Sequence, residues 1–335
     1  MSGTSIIILC TILAYMCLLI GVGVYNSRKN SSSEDFYLGG RRMGALVVAM
    51  SAEASDMSSW LLMGLPGVAY LTGIADAFWT AAGLAIGTYL NWLFTSRRLR
   101  RYSERIDAIT VPTFFAKRFH DEKNIITAIS AVIIVIFFIP YVASGFAACG
   151  KLFNSLFGLD YMTGVILFAI IIVIYTIMGG FTTVATNDLI QSIVMSIALI
   201  SIITFGVSSA GGFGAVMDNA KSLPGYFSLS AIHDAVAGTA VPYSALSAVS
   251  LLAWGIGYFG MPHILVRFMS IEDENKLVLS RRVASVWVTI AMGVAIFIGV
   301  VGLGVVNAGN MAPLEDSERV IIALTDILSQ NGFLA

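Results

Sequence analysis

Residues 51–67 read SAEASDMSSWLLMGLPG, and they sit inside an uncharged-looking apolar run, 44–70, that is long enough to cross a bilayer. About 20 apolar residues suffice for a helical crossing. Yet this run carries Glu53, Asp56 and a cluster of serines. An ionisable group at membrane depth faces a packed interior or a water-filled path, and it marks a functional site by default. The small residues and the Pro66-Gly67 pair weaken the helix here, and irregular backbone at that depth is tolerated only where it lines a cavity. The stretch reads as a solute site on a broken membrane helix.

The composition agrees. The chain is 57% hydrophobic and 12% charged, with a mean hydropathy of +0.86. Soluble domains carry about 25% charged residues, so an all-α polytopic membrane protein is expected. A formal net charge of −1 offers no basic field for nucleic acid. Cys10, Cys17 and Cys149 are isolated in apolar segments and make neither a disulfide framework nor a CxxC pair. His120, His233 and His263 are too far apart in sequence to suggest a transition-metal site. The leading MSGTS has no basic residue before its apolar run, so the first segment is expected to be a retained helix and not a cleaved signal.

Charge-poor stretches place eight spans, at residues 5–27, 44–70, 77–96, 125–150, 161–180, 189–208, 242–262 and 283–306. Segment 317–328 sets Val320, Ile321, Leu324, Ile327 and Leu328 on one helical face and reads as an interfacial or lid helix. With the N-terminus external, only Lys151, Lys221 and Arg319 of the 19 basic residues fall outside. The reverse orientation would invert that bias, so the N-terminus is expected outside the cytoplasmic membrane. The run RRLRRYSER at 97–105 then reads as a cytoplasmic loop touching anionic lipid head groups.

WGIGYFG at 254–260 spells GxGxxG, but inside an apolar span it lacks the strand, helix and distal acid of a dinucleotide fold. Close-spaced glycines before Pro262 instead predict a helix break. Trp254 and Tyr258, four apart, are then candidates to line a site beside it. Gly83 and Gly87 form a GxxxG pair, which implies close helix packing. Tyr141 follows Pro140 in the fourth span. Asp188, after Gly179-Gly180, has two readings: a helix-start carboxylate favoured by the amino-terminal dipole, or a group that attracts a cation. The second and seventh spans are both interrupted and lie five spans apart. That is the pattern of an inverted repeat, in which half-helix ends meet an anionic substrate group and unwound carbonyls meet a hard cation such as Na+.

The segments FYLGGR (36–41), SDMSSWLLMGLPG (55–67), PYVASG (140–145) and WGIGYFGMPHILVRFM (254–269) together resemble the sodium:solute symporter family, and within it members that carry proline. The resemblance implies a leucine-transporter-type inverted-repeat fold with an extra leading helix. The whole of 1–335 would be one incomplete transporter domain: leading helix 5–27, first repeat 44–208, start of the second repeat 242–335. It implies Na+-coupled uptake of L-proline, or of another small solute such as a different amino acid, pantothenate or a sugar. It further implies that the carbonyls of Ala54 and Met57 face Na+, with Asp56 and Ser58 beside them. Trp60, Tyr141, Trp254, Tyr258 and Pro262 would surround the substrate, and Arg41 and Asp188 would lie along the cytoplasmic cation path. Glu53 and Ser59 stand where the proline carriers have glycine. A Ser-Thr half-site of the family falls on a ninth span that should begin near Phe333, so a truncated symporter is expected, inactive at 335 residues. Na+ is the coupling ion, with no other cofactor. A membrane sensory module would need a soluble extension, and an intramembrane enzyme a nucleophile–base pair or metal set; the sequence displays neither.

Overall fold

The computed structural model describes residues 3–28 and 31–330. Fourteen α-helices, six short 3-10 or π-helical segments and one β-hairpin appear among them. In chain order the helices are α1 (Gly3–Ser27), α2 (Ser33–Leu38), α3 (Ala45–Ser59), α4 (Leu65–Thr72), α5 (Ile74–Asn91), α6 (Arg97–Arg105) and α7 (Val111–Arg118). There follow α8 (Ile125–Phe157), α9 (Tyr161–Ser209), α10 (Phe213–Ser222), α11 (Ala245–Ala253), α12 (Pro262–Ser270), α13 (Leu277–Asn307) and α14 (Val320–Gln330). The short ends are set by local chemistry. Ser32 caps α2, Thr110 caps α7 ahead of Pro112, and Ser244 caps α11, each hydroxyl accepting a backbone N–H of the first turn.

Four helices are each long and apolar enough to cross a membrane: Ile6–Ser27, Ile125–Phe157, Tyr161–Ser209 and Glu274–Asn307. A fifth arises if Ala245–Gly260 and Pro262–Ser270, bent by 48°, form one broken span. The expected eight spans are compatible with this because α9 has 49 residues, more than twice a crossing, and breaks at Gly180 (φ 60°, ψ −155°). The remaining two expected spans are the interrupted α3–α4 segment and α5. Two boundaries move. The helix resumes directly after Gly180, not at residue 189, and the seventh span runs on to Ser270.

The break in the second span also moves. It falls at Ser58, whose φ of 46° and ψ of −156° leave the helical region, and a π-helical turn follows at Trp60–Gly64. Pro66 itself is not the site of the break. It stands at the start of α4, directly after the π-helical turn, in a backbone that is helical from Ser59 through Leu65, and its missing N–H accompanies the widened turn before it. The seventh span breaks where the glycines predict, in a 3-10 segment Trp254–Gly260, with Pro262 opening α12.

Contacts sort the chain into two compact units. The first comprises Met1–Asp56, Tyr89–Ser192 and Tyr258–Ala284. Its buried apolar residues include Leu38, Phe268, Met269 and Ile271. Arg41 ties its loops: Nε donates to Glu34 at 2.7 Å, Nη1 to the Met269 carbonyl at 3.0 Å, and Nη2 to the Ala108 carbonyl at 2.7 Å. The second comprises Met57–Thr88, Ile193–Gly257 and Ser285–Ala335. Its core gathers Leu61, Leu65, Met292, Ile298 and Leu324. Here α14 buries Val320, Leu324 and Leu328 while Thr325 and Asp326 face outward, so its expected apolar face is packed within the unit. The hairpin pairs Ala231–Asp234 with Thr239–Pro242, antiparallel, with Ala231 opposite Pro242. Beside it the buried Tyr226 hydroxyl donates to the Ala69 carbonyl at 2.6 Å.

Candidate functional site

In the first unit the residues just before the Ser58 break meet those just after the 254–260 break. The Tyr141 hydroxyl donates to the Ser55 carbonyl at 2.6 Å, and the Asp56 carbonyl lies 3.4 Å from it. Helix α8 runs unbroken through Pro140, which sets Tyr141 facing this last turn of regular α3. The Tyr258 hydroxyl sits beside the Asp56 carboxylate, and Tyr258 itself is 4% exposed. His263 stacks on Tyr141 with ring centroids 5.5 Å apart, and its Nε2 stands 4.0 Å from Asp56 Oδ1. Thus Asp56, Tyr141 and Tyr258 come together. Pro262 starts the helix that delivers His263. Ala54 lies one turn before the break.

Asp188 is not a helix-start group, which removes the dipole reading. Because α9 resumes at Phe181, Asp188 lies two turns inside it. Its Oδ2 accepts from Ser51 Oγ at 2.6 Å, from Ser55 Oγ at 3.1 Å and from Arg267 Nη2 at 2.9 Å. Arg267 in turn donates from Nε to Ser51 Oγ at 2.6 Å, from Nη2 to Ser55 Oγ, and from Nη1 to the His263 carbonyl at 2.5 Å. Its guanidinium also lies over the Phe181 ring. Arg267 is 5% exposed and Asp188 8%. Three helices, α3, α9 and α12, are therefore joined by one buried, charge-assisted network. Arg41 belongs to the loop cluster described above and not to this network.

Sequence reasoning missed Arg267 and His263 as site residues. The signal was present: Arg267 is a lone charge in the apolar run HILVRFM, as conspicuous as Asp56. It also missed the partner of Glu53, whose Oε1 accepts from Trp92 Nε1 at 3.2 Å.

In the second unit Trp60 and Trp254 meet edge to face, with centroids 5.4 Å apart and planes at 67°. Met57 is 2% exposed, and the Ser58 hydroxyl accepts from the Trp60 N–H at 3.4 Å, bracing the break. Gly64 keeps the π turn open, since a Cβ there would press on the Trp60 ring. Aromatic pairs of this geometry contribute about 0.5–1.5 kcal/mol beyond burial. A double-mutant cycle of Trp60→Ala and Trp254→Ala, read by thermal unfolding, is expected to return a coupling in that range; additive losses would mean the pair is incidental. A cavity of about 570 Å³ in this unit is lined by Asn310, Pro313, Glu315, Asp316, Arg319 and Asp326 among others, none of them an expected site residue. The ninth span expected near Phe333 lies outside the described residues.

Comparison with known proteins agrees with this architecture. The model of the sodium:solute symporter family matches residues 36–335. Sodium/proline symporters of Staphylococcus aureus, strains JH9 and COL among them, are 39% identical over 328 residues. Those alignments cover 96% of this chain and 62% of each relative, so the chain spans less than two thirds of their length. A solved structure of a Na+-coupled sialic acid symporter, in a substrate-bound outward-open state, superposes with a TM-score of 0.73 at 16% identity. It covers 98% of this chain and 70% of that one, and the shared architecture is of leucine-transporter type. Family and fold are those of transporters, and the apolar helices make this a multi-pass membrane protein. The chain belongs to the sodium:solute symporter family.

Proposed function

We propose that the complete protein couples Na+ entry to the uptake of a small solute, L-proline, across the cell membrane. The observation that carries the reading is the helix break at Ser58, immediately after Asp56, whose carboxyl group has the Tyr258 hydroxyl beside it and whose backbone carbonyl is approached by the Tyr141 hydroxyl at 3.4 Å. In an unbroken α-helix the Ala54 and Met57 carbonyls would accept from the N–H groups four residues on. A left-handed Ser58 disrupts that ladder, and carbonyl oxygens at such a break suit a hard cation. In this reading the two carbonyls hold Na+, and Asp56 and Ser58 stand beside it. The aromatic rings of Trp60, Tyr141, Trp254 and Tyr258, with Pro262, suit an apolar pyrrolidine ring. Helix ends would meet the amino and carboxylate charges of the zwitterion.

The further parts of the reading are that 44–208 and the chain from 242 form repeats of opposite topology behind a leading helix at 5–27, with the N-terminus external. The near-total confinement of basic residues to alternate loops supports that orientation. Arg41 and Asp188 would then lie on the cytoplasmic side of the cation path. The proline names carried by relatives at 39% identity support the substrate.

The test is uptake of labelled L-proline by the complete protein in proteoliposomes. An inward Na+ gradient is expected to raise the initial rate at least tenfold over an equal K+ gradient, and Asp56→Asn to abolish that stimulation. Unlabelled proline should compete, with pantothenate, sugars and other amino acids weaker by at least an order of magnitude. Uptake indifferent to Na+ would sink the coupling; displacement by another solute before proline would reassign the substrate.

A further inference from the structure

Pro262 leaves one backbone acceptor without its helical donor. In a continuous helix the Tyr258 carbonyl would accept from the N–H of residue 262, and proline has none. The 3-10 segment Trp254–Gly260 offers only a distant substitute, the Met261 N–H at 3.4 Å. The close donor comes from another helix: Asn91 Nδ2, on the last residue of α5, stands 2.9 Å from the Tyr258 oxygen. Asn91 is 1% exposed and Tyr258 4%, so either group left unpaired would stay unpaired. The other amide atom, Asn91 Oδ1, is buried with no partner among the described residues. An apolar residue would fill that space without an orphaned oxygen, so packing alone does not call for asparagine here.

The next residue braces the same place. A π-helical turn, Trp92–Ser96, opens at Trp92, and such widened turns recur at functional sites. The Trp92 ring packs on Phe268 of α12 with centroids 4.5 Å apart, and its Nε1 donates to Glu53 Oε1 of α3 at 3.2 Å. The end of α5 is thereby fixed against both α3 and α12, and Asn91 holds the Tyr258 carbonyl from a rigid point.

We infer that Asn91 is a positioning residue of the solute site. By occupying the carbonyl that Pro262 leaves open, it fixes the backbone of Tyr258 and so sets the tyrosine hydroxyl beside Asp56. The inference rests on the transport reading for what that hydroxyl serves, and on geometry alone for the hold on the segment.

Initial-rate uptake of labelled L-proline by the complete protein in proteoliposomes, at saturating Na+, is the first measurement. Asn91→Leu keeps roughly the volume and loses the donor, and its KM is expected to rise about tenfold, the worth of one buried hydrogen bond. Asn91→Gln, which still donates, should return to within about threefold of the wild type. In a Tyr258→Phe background, Asn91→Leu should add less than about twofold, because the hydroxyl it positions is gone. A tenfold loss in both backgrounds means that Asn91 only stabilises the fold, and overturns the inference. The second measurement needs no solute: hydrogen exchange of the Phe259, Gly260 and Met261 amides in lipid nanodiscs. Exchange at least about tenfold faster in Asn91→Leu than in the wild type is expected, with Asn91→Gln between them. Equal exchange overturns the inference. Asn91→Ser, too short to reach the carbonyl, takes the place of the leucine variant in both measurements if that variant does not fold. A wild type indifferent to proline and Na+ overturns the transport reading and leaves the exchange rates to decide this one.

Discussion

Arg267→Ala is expected to lower the unfolding free energy by about 3–5 kcal/mol, the range for removing one partner of a buried ion pair. The cost comes from what remains. Asp188, 8% exposed, would keep only the Ser51 and Ser55 hydroxyls, and both serines would lose the guanidinium that orients them. Arg267→Lys should recover only part of the loss. A single ammonium cannot reach Ser51, the His263 carbonyl and Asp188 from three nitrogens at once. The double variant Arg267→Ala/Asp188→Ala should lose clearly less than the sum of the single losses, because the second substitution removes the stranded charge. The measurement is denaturant unfolding of the complete protein in mixed micelles, followed by tryptophan fluorescence. A loss below about 1 kcal/mol for Arg267→Ala, or strict additivity, would mean that water screens the pair.

That network also marks where sequence reading ran out. The long apolar helices were legible because apolar runs are a local property. So was the seventh-span break, since three glycines in seven residues disfavour a helix wherever they occur. The Ser58 break was not legible at its true position. Serine has no intrinsic taste for positive φ, and a strained backbone there needs surrounding structure to hold it. Pro66 drew attention because proline is the usual breaker, yet it follows a π-helical turn in a backbone that stays helical through it. The continuous helix after Gly180 was hidden by the polar stretch TTVATND, which reads as a loop in isolation. In the fold its Thr183 and Asn187 are buried, at 0% and 1% exposure. Arg267 and Asp188 are 79 residues apart, and nothing in one sequence pairs them. The aromatic contact of Trp60 with Trp254 was anticipated only as two members of one site, without its geometry.

Gly87→Ala is expected to destabilise by about 1–3 kcal/mol and to cost transport more than stability. The GxxxG pair does what such pairs do, letting backbones approach. A Cβ at Gly87 would collide with the carbonyl, carbonyl carbon and Cα of Gly255, and one at Gly83 with the backbone of Leu251 and Leu252. Overpacking against side chains can relax by rotamer changes; against backbone it can relax only by moving α5 or the 254–260 segment. That segment carries Trp254, so the movement is passed to an aromatic proposed to hold the substrate. A misplacement of about 1 Å at a positioning residue can cost about a hundredfold in rate. Gly257→Ala supplies the control, because a Cβ there meets nothing within 4 Å although it sits in the same 3-10 turn. Thermal unfolding and Na+-driven uptake by the complete protein should therefore separate the two variants, with Gly87→Ala impaired in both and Gly257→Ala within about 0.5 kcal/mol of wild type. Equal behaviour would mean that the turn itself, and not its close approach to α5, sets the geometry of the break.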